Sequence, residues 1–97
     1  MASRAYFLIN VSENLDRDGF IEAALELERK LEVDFVDPVV GNYDLVVMVE
    51  TNGSLEDMAD SIAKLSWVKK IEVLKTVPLQ RKRSLTPLEI ESFLGGA

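Results

Sequence analysis

The sequence predicts an α+β fold in which an antiparallel sheet of four strands carries two helices on one face. Residues 5–11 and 45–49 are apolar at almost every position, which is typical of central strands buried on both faces. An amphipathic stretch with helical period follows each of them, at about residues 19–31 and 55–65. Pro38 lies in a further extended stretch and indicates an edge strand, because proline has no N–H for a sheet ladder.

The first half of the chain is predicted as strand, helix and strand. Residues 5–11 form the first strand, and the first helix begins near Gly19 with Asp18 as its N-cap. The apolar stripe of this helix consists of Phe20, Ala24, Leu27 and Leu31. The second strand covers residues 33–40. We expect Gly41 and Asn42 to form a two-residue hairpin turn, because both residue types tolerate a positive φ.

The second half repeats this order. The third strand is followed by a turn at residues 51–53. Ser54 and Asp57 then resemble a capping box at the start of the second helix. Residues 67–77 are predicted as a fourth strand, and its charged positions indicate a second edge. The resulting βαββαβ order predicts a ferredoxin-like sandwich with the first and third strands in the centre.

We divide the chain into a domain at residues 1–77 and a basic linker with a short C-terminal helix at residues 78–97. The linker contains Arg81-Lys82-Arg83. Thr86, Pro87 and Glu89 have the spacing of a helix start with a capping box. A helix this short requires a surface on which to dock.

One face of the predicted sheet remains without a covering helix. Its apolar side chains are Tyr6, Leu8, Val46 and Met48. Leaving them in water would forgo roughly 1.5–3 kcal/mol for each side chain. A second copy of the chain, packed sheet on sheet, is the favoured cover, and the C-terminal segment folding back is the alternative.

The composition excludes several classes of function. The chain has no cysteine and no histidine, so thiol nucleophiles, His-based triads and zinc sites built on these residues are excluded. A formal net charge of −6 argues against direct DNA binding by this chain. We find no membrane span and no signal-peptide pattern, and we expect a cytoplasmic protein with no cofactor and no metal.

Residues 14–25 partly match a calcium-binding loop. The pattern requires a bidentate carboxylate at its twelfth position, where this chain has Leu25. We therefore interpret this stretch as a loop that ends in a helix cap.

Asn10 and Trp67 suit a second alternative, a small dimeric enzyme of the cofactor-free monooxygenase or isomerase type. Packing and strand-end roles for these two residues are favoured.

The segment Gly41-Asn42-Tyr43-Asp44, followed by an apolar strand, resembles the G-x-Y-D hairpin of the ligand-sensing (RAM) domain of Lrp/AsnC transcription regulators. The resemblance covers about residues 5–77. It implies dimers paired through their sheets, in some members assembled into rings. It also implies an amino acid or similar small effector bound beside the hairpin, with Gly41, Tyr43 and Asp44 shaping the pocket and Asn42 at the variable position.

Two features depart from the family pattern. The resemblance implies a separate DNA-binding domain before the first strand, whereas this sequence begins at that strand. We therefore expect an effector-binding and oligomerisation module without its own DNA-binding domain, and not an enzyme. Assembly with full-length regulators and a role as a small-molecule-responsive scaffold both remain open for it. The family's fourth strand is often rich in Ser and Thr, whereas this chain has Lys69-Lys70-Ile71-Glu72. For Gly41 a role in the turn is the favoured interpretation, while for Asp44 a structural and a binding role remain equally open.

Overall fold

The structure is a computed structural model that describes residues 2–77. Its elements are β1 (Ser3–Val11), α1 (Arg17–Glu28), β2 (Val33–Pro38), β3 (Leu45–Thr51), α2 (Leu55–Ala63) and β4 (Val68–Lys75). This order confirms the predicted βαββαβ sandwich. The predicted basic linker with Arg81-Lys82-Arg83 and the predicted C-terminal helix lie outside the described residues.

The sheet has the strand order β2-β3-β1-β4, and all neighbours are antiparallel. The prediction that the first and third strands are central is therefore confirmed, as is the edge position of the strand that contains Pro38. In the shared register, Phe7 of β1 lies opposite Val47 of β3 and Val73 of β4. Within residues 2–77, no helix has the length and apolar character that crossing a membrane requires.

The hydrophobic core lies between the sheet and the two helices. Its largest fully buried side chains are Phe7, Ile9, Leu27, Leu45, Val47, Val49 and Ile62. Five of these come from the two central strands, because alternate residues of a strand point to the same face. Burying each large apolar side chain contributes roughly 1.5–3 kcal/mol. The core therefore depends most on β1 and β3.

The opposite side of the sheet, which we call the open face, has one apolar row that crosses all four strands. Phe35, Met48, Tyr6 and Leu74 occupy successive strands in one cross-strand row. Val46 and Leu8 form the centre of the next row. Phe35 is 38% exposed and Leu74 is 46% exposed. No element described in residues 2–77 covers this row, as the sequence predicted.

Helix α1 begins and ends earlier than the sequence predicted. Its N-cap is Asp16, whose Oδ1 accepts a hydrogen bond from the Gly19 backbone N–H at 2.7 Å, so the assignment of Asp18 was wrong. The helix ends at Glu28, and a turn follows in which the Val33 N–H donates to the Lys30 carbonyl. Leu31 is 95% exposed and is not part of the apolar stripe, because the chain has already turned towards β2.

The start of α2 confirms the predicted cap, since the Ser54 Oγ accepts a hydrogen bond from the Asp57 N–H at 3.1 Å. The hairpin between β2 and β3 differs from the prediction. The Val39 N–H donates to the Asp44 carbonyl at 2.9 Å, which encloses four residues and not two. Gly41 has φ +142°, while Asn42 does not have a positive φ. Strand β2 ends at Pro38, two residues before the predicted end.

Replacing Gly41 with alanine should lower the free energy of unfolding by roughly 1–3 kcal/mol, because a residue with a Cβ is strained at positive φ. Open space surrounds a Cβ built at Gly41, so the cost is one of backbone conformation and not of collision. Gly53→Ala is the matched control, because a Cβ there makes only ordinary contact with Thr51 Oγ1 at 3.5 Å. Urea unfolding of both variants checks this prediction. Equal stability of the two would contradict it.

Candidate functional site

A groove with a volume of about 370 Å³ lies where the end of β1 meets the starts of β3 and β4. Its lining residues are Asn10, Val11, Glu13, Asp44, Lys69 and Lys70. The antiparallel order of the sheet brings them together, because the last residues of β1 adjoin the first residues of both neighbouring strands. The groove therefore combines side chains from three separate parts of the sequence.

Asp44 joins the hairpin to the end of β1. Its backbone N–H donates to the Ile9 carbonyl at 2.9 Å, and its Oδ2 accepts a hydrogen bond from the Val11 N–H at 2.9 Å. The β1–β3 ladder stops at Ile9 and Leu45, so the Val11 N–H has no strand partner on that side. The carboxylate replaces that partner. Asp44 thus has a structural role and also lines the groove.

Two further hydrogen bonds hold the hairpin loop in place. The Asn10 Nδ2 donates to the Asn42 carbonyl at 2.8 Å. The Tyr43 hydroxyl donates to the Glu72 carboxylate on β4. This hydrogen bond, together with burial and the nearby charge of Glu72, raises the pKa of Tyr43 above its ordinary value of 10.0. The loop is therefore tied to both central and edge strands.

The four residues that the sequence predicted for the site do not all face the groove. Asp44 lines the groove. Asn42 contacts the lining residue Asn10 only through its backbone carbonyl, which accepts a hydrogen bond. Tyr43 is directed to Glu72. Gly41 is exposed and forms the turn. The predicted set is thus a loop that frames the groove, with a single carboxylate inside it.

The remaining charged lining residues were not predicted as site residues. Glu13, Lys69 and Lys70 come from the loop after β1 and the start of β4. The only sequence signal for the lysines is that they stand where the Lrp/AsnC resemblance expects Ser and Thr. Glu13 has no sequence signal, because only the antiparallel pairing of β1 with β4 brings it near Lys69.

The groove contains charges of both signs. The Lys69 Nζ lies 3.4 Å from the Glu13 Oε2, and both side chains are more than half exposed. Such an exposed pair contributes only about 0–1 kcal/mol to stability, so it separates easily to meet a ligand. Two ammonium groups and two carboxylates can complement a molecule that carries both an amino and a carboxylate group.

Of Asn10 and Trp67, the residues of the enzyme alternative, Asn10 lines the groove at Asp44 and Trp67 does not. The Trp67 indole instead packs against the core, where its Nε1 is buried without a hydrogen-bond partner among the described residues. In the partial match to a calcium loop, the Asp16 carboxylate caps α1. Within residues 2–77, no cluster of acidic side chains has the arrangement of a metal site.

Several solved structures have the same fold as residues 2–77. AsnC from E. coli gives a TM-score of 0.68 at 17% identity, covering 88% of this chain and 57% of that one. A transcriptional regulator from Neisseria meningitidis in complex with L-Met gives 0.67 at 12% identity, with 91% and 58% covered. A hypothetical protein from Pyrococcus horikoshii gives 0.60 at 22% identity, with 88% and 100% covered.

The chain thus spans little more than half the length of AsnC and of the Neisseria regulator, and the whole length of the Pyrococcus protein. At these sequence identities the similarity establishes a shared fold. Searches with protein-family models and against curated proteins found no match for this sequence.

Asp44→Ala should lower the free energy of unfolding by about 1–3 kcal/mol, because it leaves the partly buried Val11 N–H without its acceptor. Asp44→Asn is the matched control. Its amide oxygen keeps an acceptor at the same position, so it should retain at least half of the lost stability. Urea unfolding with fluorescence from Trp67 measures both. An alanine variant as stable as the parent protein would show that this hydrogen bond is not structural.

Proposed function

We propose that this chain is a small-molecule effector-binding and oligomerisation module of the Lrp/AsnC type, acting without catalysis. The observation that carries the proposal is the groove of mixed charge beside the Gly41-Asn42-Tyr43-Asp44 loop. Its position agrees with the site that the sequence resemblance implies. The shared fold with a regulator solved in complex with L-Met supports the same interpretation.

An amino acid is the effector class that best matches this groove. A volume of about 370 Å³ accommodates a molecule of that size. In our proposal Lys69 and Lys70 pair with its carboxylate, while Asp44 and Glu13 receive its ammonium group. One oxygen of Asp44 accepts the Val11 N–H, and the hydrogen bonds of residues 2–77 leave the other oxygen available. Charge-assisted hydrogen bonds of this kind are stronger than neutral ones.

The proposed partner is a second copy of the chain, bound through the open face. The apolar row of Phe35, Met48, Tyr6 and Leu74 is continuous across the sheet. Packing two such faces together would remove these side chains from water and bury the uncovered side of β1 and β3. The proposal extends to rings of dimers and to mixed assemblies with full-length regulators, in which the open face forms the contact within each pair of chains.

Effector binding is tested first by a thermal-shift screen of the amino acids. A true effector at one hundred times its Kd should stabilise the parent protein by about 2.7 kcal/mol. Calorimetry with that effector then compares variants. Asp44→Asn should weaken binding more than tenfold, since losing one charged partner costs about 1.5–3 kcal/mol. Lys70→Ala should also weaken it.

Lys64→Ala is the control for the binding experiment, because Lys64 is an exposed lysine at the end of α2 and does not line the groove. This variant should bind the effector as the parent does. If no amino acid stabilises the protein, or if Asp44→Asn and Lys70→Ala bind as tightly as Lys64→Ala, the proposed site is wrong.

Leu8→Lys should convert the assembled protein into monomers, because it places a charge in the centre of the open face. The variant should still fold as a monomer, because Leu8 lies opposite Glu72 in the register and the introduced lysine can pair with that carboxylate. Ile21→Lys is the control, because Ile21 is 46% exposed on α1, away from the sheet. Light scattering after gel filtration should give Leu8→Lys a mass near 10.9 kDa and the other two proteins at least twice that. A parent protein of 10.9 kDa would rule out the dimer.

A further inference from the structure

A second and larger groove runs between α2 and the edge strand β4. Its volume is about 560 Å³, and its lining residues are Glu56, Ala59, Asp60, Ile71, Val73 and Lys75. It lies on the helix-covered side of the sheet, away from both the open face and the groove at Asp44. Neither the proposed effector site nor the proposed dimer uses it.

The floor of this groove is apolar and its rim is charged. Ile71 and Val73 pack against the core but remain only partly buried. Glu56 forms an ion pair with Lys75 at one end, and this contact lowers the pKa of the Glu56 carboxyl. Asp60 forms no ion pair with any residue in the range 2–77. An occupant therefore needs an apolar side and positive charge.

The chain leaves the described fold at one end of the groove. β4 ends at Lys75, which is paired with Glu56 near the start of α2. Both the backbone N–H and the hydroxyl of Thr76 donate to the Arg4 carbonyl at 3.1 Å, which fixes the exit point beside β1. The described chain therefore ends at the same end of the groove as Glu56 and Lys75.

The sequence after the exit has the required chemistry. Ile90, Phe93 and Leu94 have the spacing of one apolar helix stripe, after the capping pattern at Thr86.

Charge also favours this occupant. Residues 2–77 contain eight Lys and Arg against fifteen Asp and Glu, a formal charge of −7. Arg81, Lys82 and Arg83 form a positive cluster that precedes the apolar stripe. This order places the positive charges near the acidic rim when the stripe reaches the apolar floor.

We infer that residues 81–94 of the same chain dock in the groove between α2 and β4, with the apolar stripe on Ile71 and Val73 and the basic cluster beside Glu56 and Asp60. This contact completes the cover of the edge strand. It also leaves the open face free for a second copy of the chain.

The absence of cysteine allows one nitroxide label to be placed on the full chain, at Ser92→Cys, which lies opposite the apolar stripe on a helix. Amide NMR signals near the groove, those of Ala59, Ile71 and Val73, should lose most of their intensity. Signals of Leu8 and Val46 on the open face should keep theirs. A label at Glu22→Cys on α1 is the control and should leave the groove signals intact.

Asp60→Lys should restore much of the lost intensity in the labelled chain, because it repels the basic cluster. Asp57→Lys is the matched control on the same helix. It should leave the signal loss unchanged, because Asp57 lines a different groove. A mixture of labelled and isotope-enriched chains distinguishes contact within one chain from contact between chains. Loss of the groove signals in that mixture, signal loss on the open face, or no localised loss would each overturn the proposal.

Discussion

The two central strands are apolar on both faces, but both helices lie on the same side of the sheet. This mismatch determines where the hydrophobic core forms and which apolar side chains remain uncovered. On the helix side, Phe7, Ile9, Val47 and Val49 become fully buried and form the core. On the other side, Tyr6, Leu8, Val46 and Met48 have the same apolar character and no cover from residues 2–77. This uncovered apolar surface is the reason why we propose a partner surface for the sheet.

The hairpin between β2 and β3 connects the fold to the proposed site. Asp44 bridges the loop to β1 at the point where the ladder ends, and Tyr43 reaches Glu72 on β4. These bonds hold the loop at the end of the sheet, beside the groove that Lys69 and Lys70 line. The same carboxylate that stabilises the end of β1 is the one we propose for the effector. In this proposal, a structural role and a binding role meet in Asp44.

Strand positions could be predicted from the sequence because they depend on local patterns. Continuous apolar runs indicated the central strands, and Pro38 indicated an edge. The end of α1 could not be predicted from the sequence. Leu31 has the correct spacing for the apolar stripe of the helix, but the chain turns at Lys30 to connect to β2. The cap was missed because Asp16 and Asp18 are equally suitable residues two positions apart. The lining of the groove depends on strand register, which brings Glu13 near Lys69 from more than fifty residues away.

The central claim is that a second copy of the chain covers the open face. Isotope-filtered NMR of a mixture of labelled and unlabelled protein tests it most directly, because it detects contacts between different copies only. The account predicts intermolecular contacts among the side-chain protons of Leu8, Val46 and Met48. Intermolecular contacts at Ile21 and Leu25 of α1 instead, or none at all at concentrations where the protein is assembled, would contradict it.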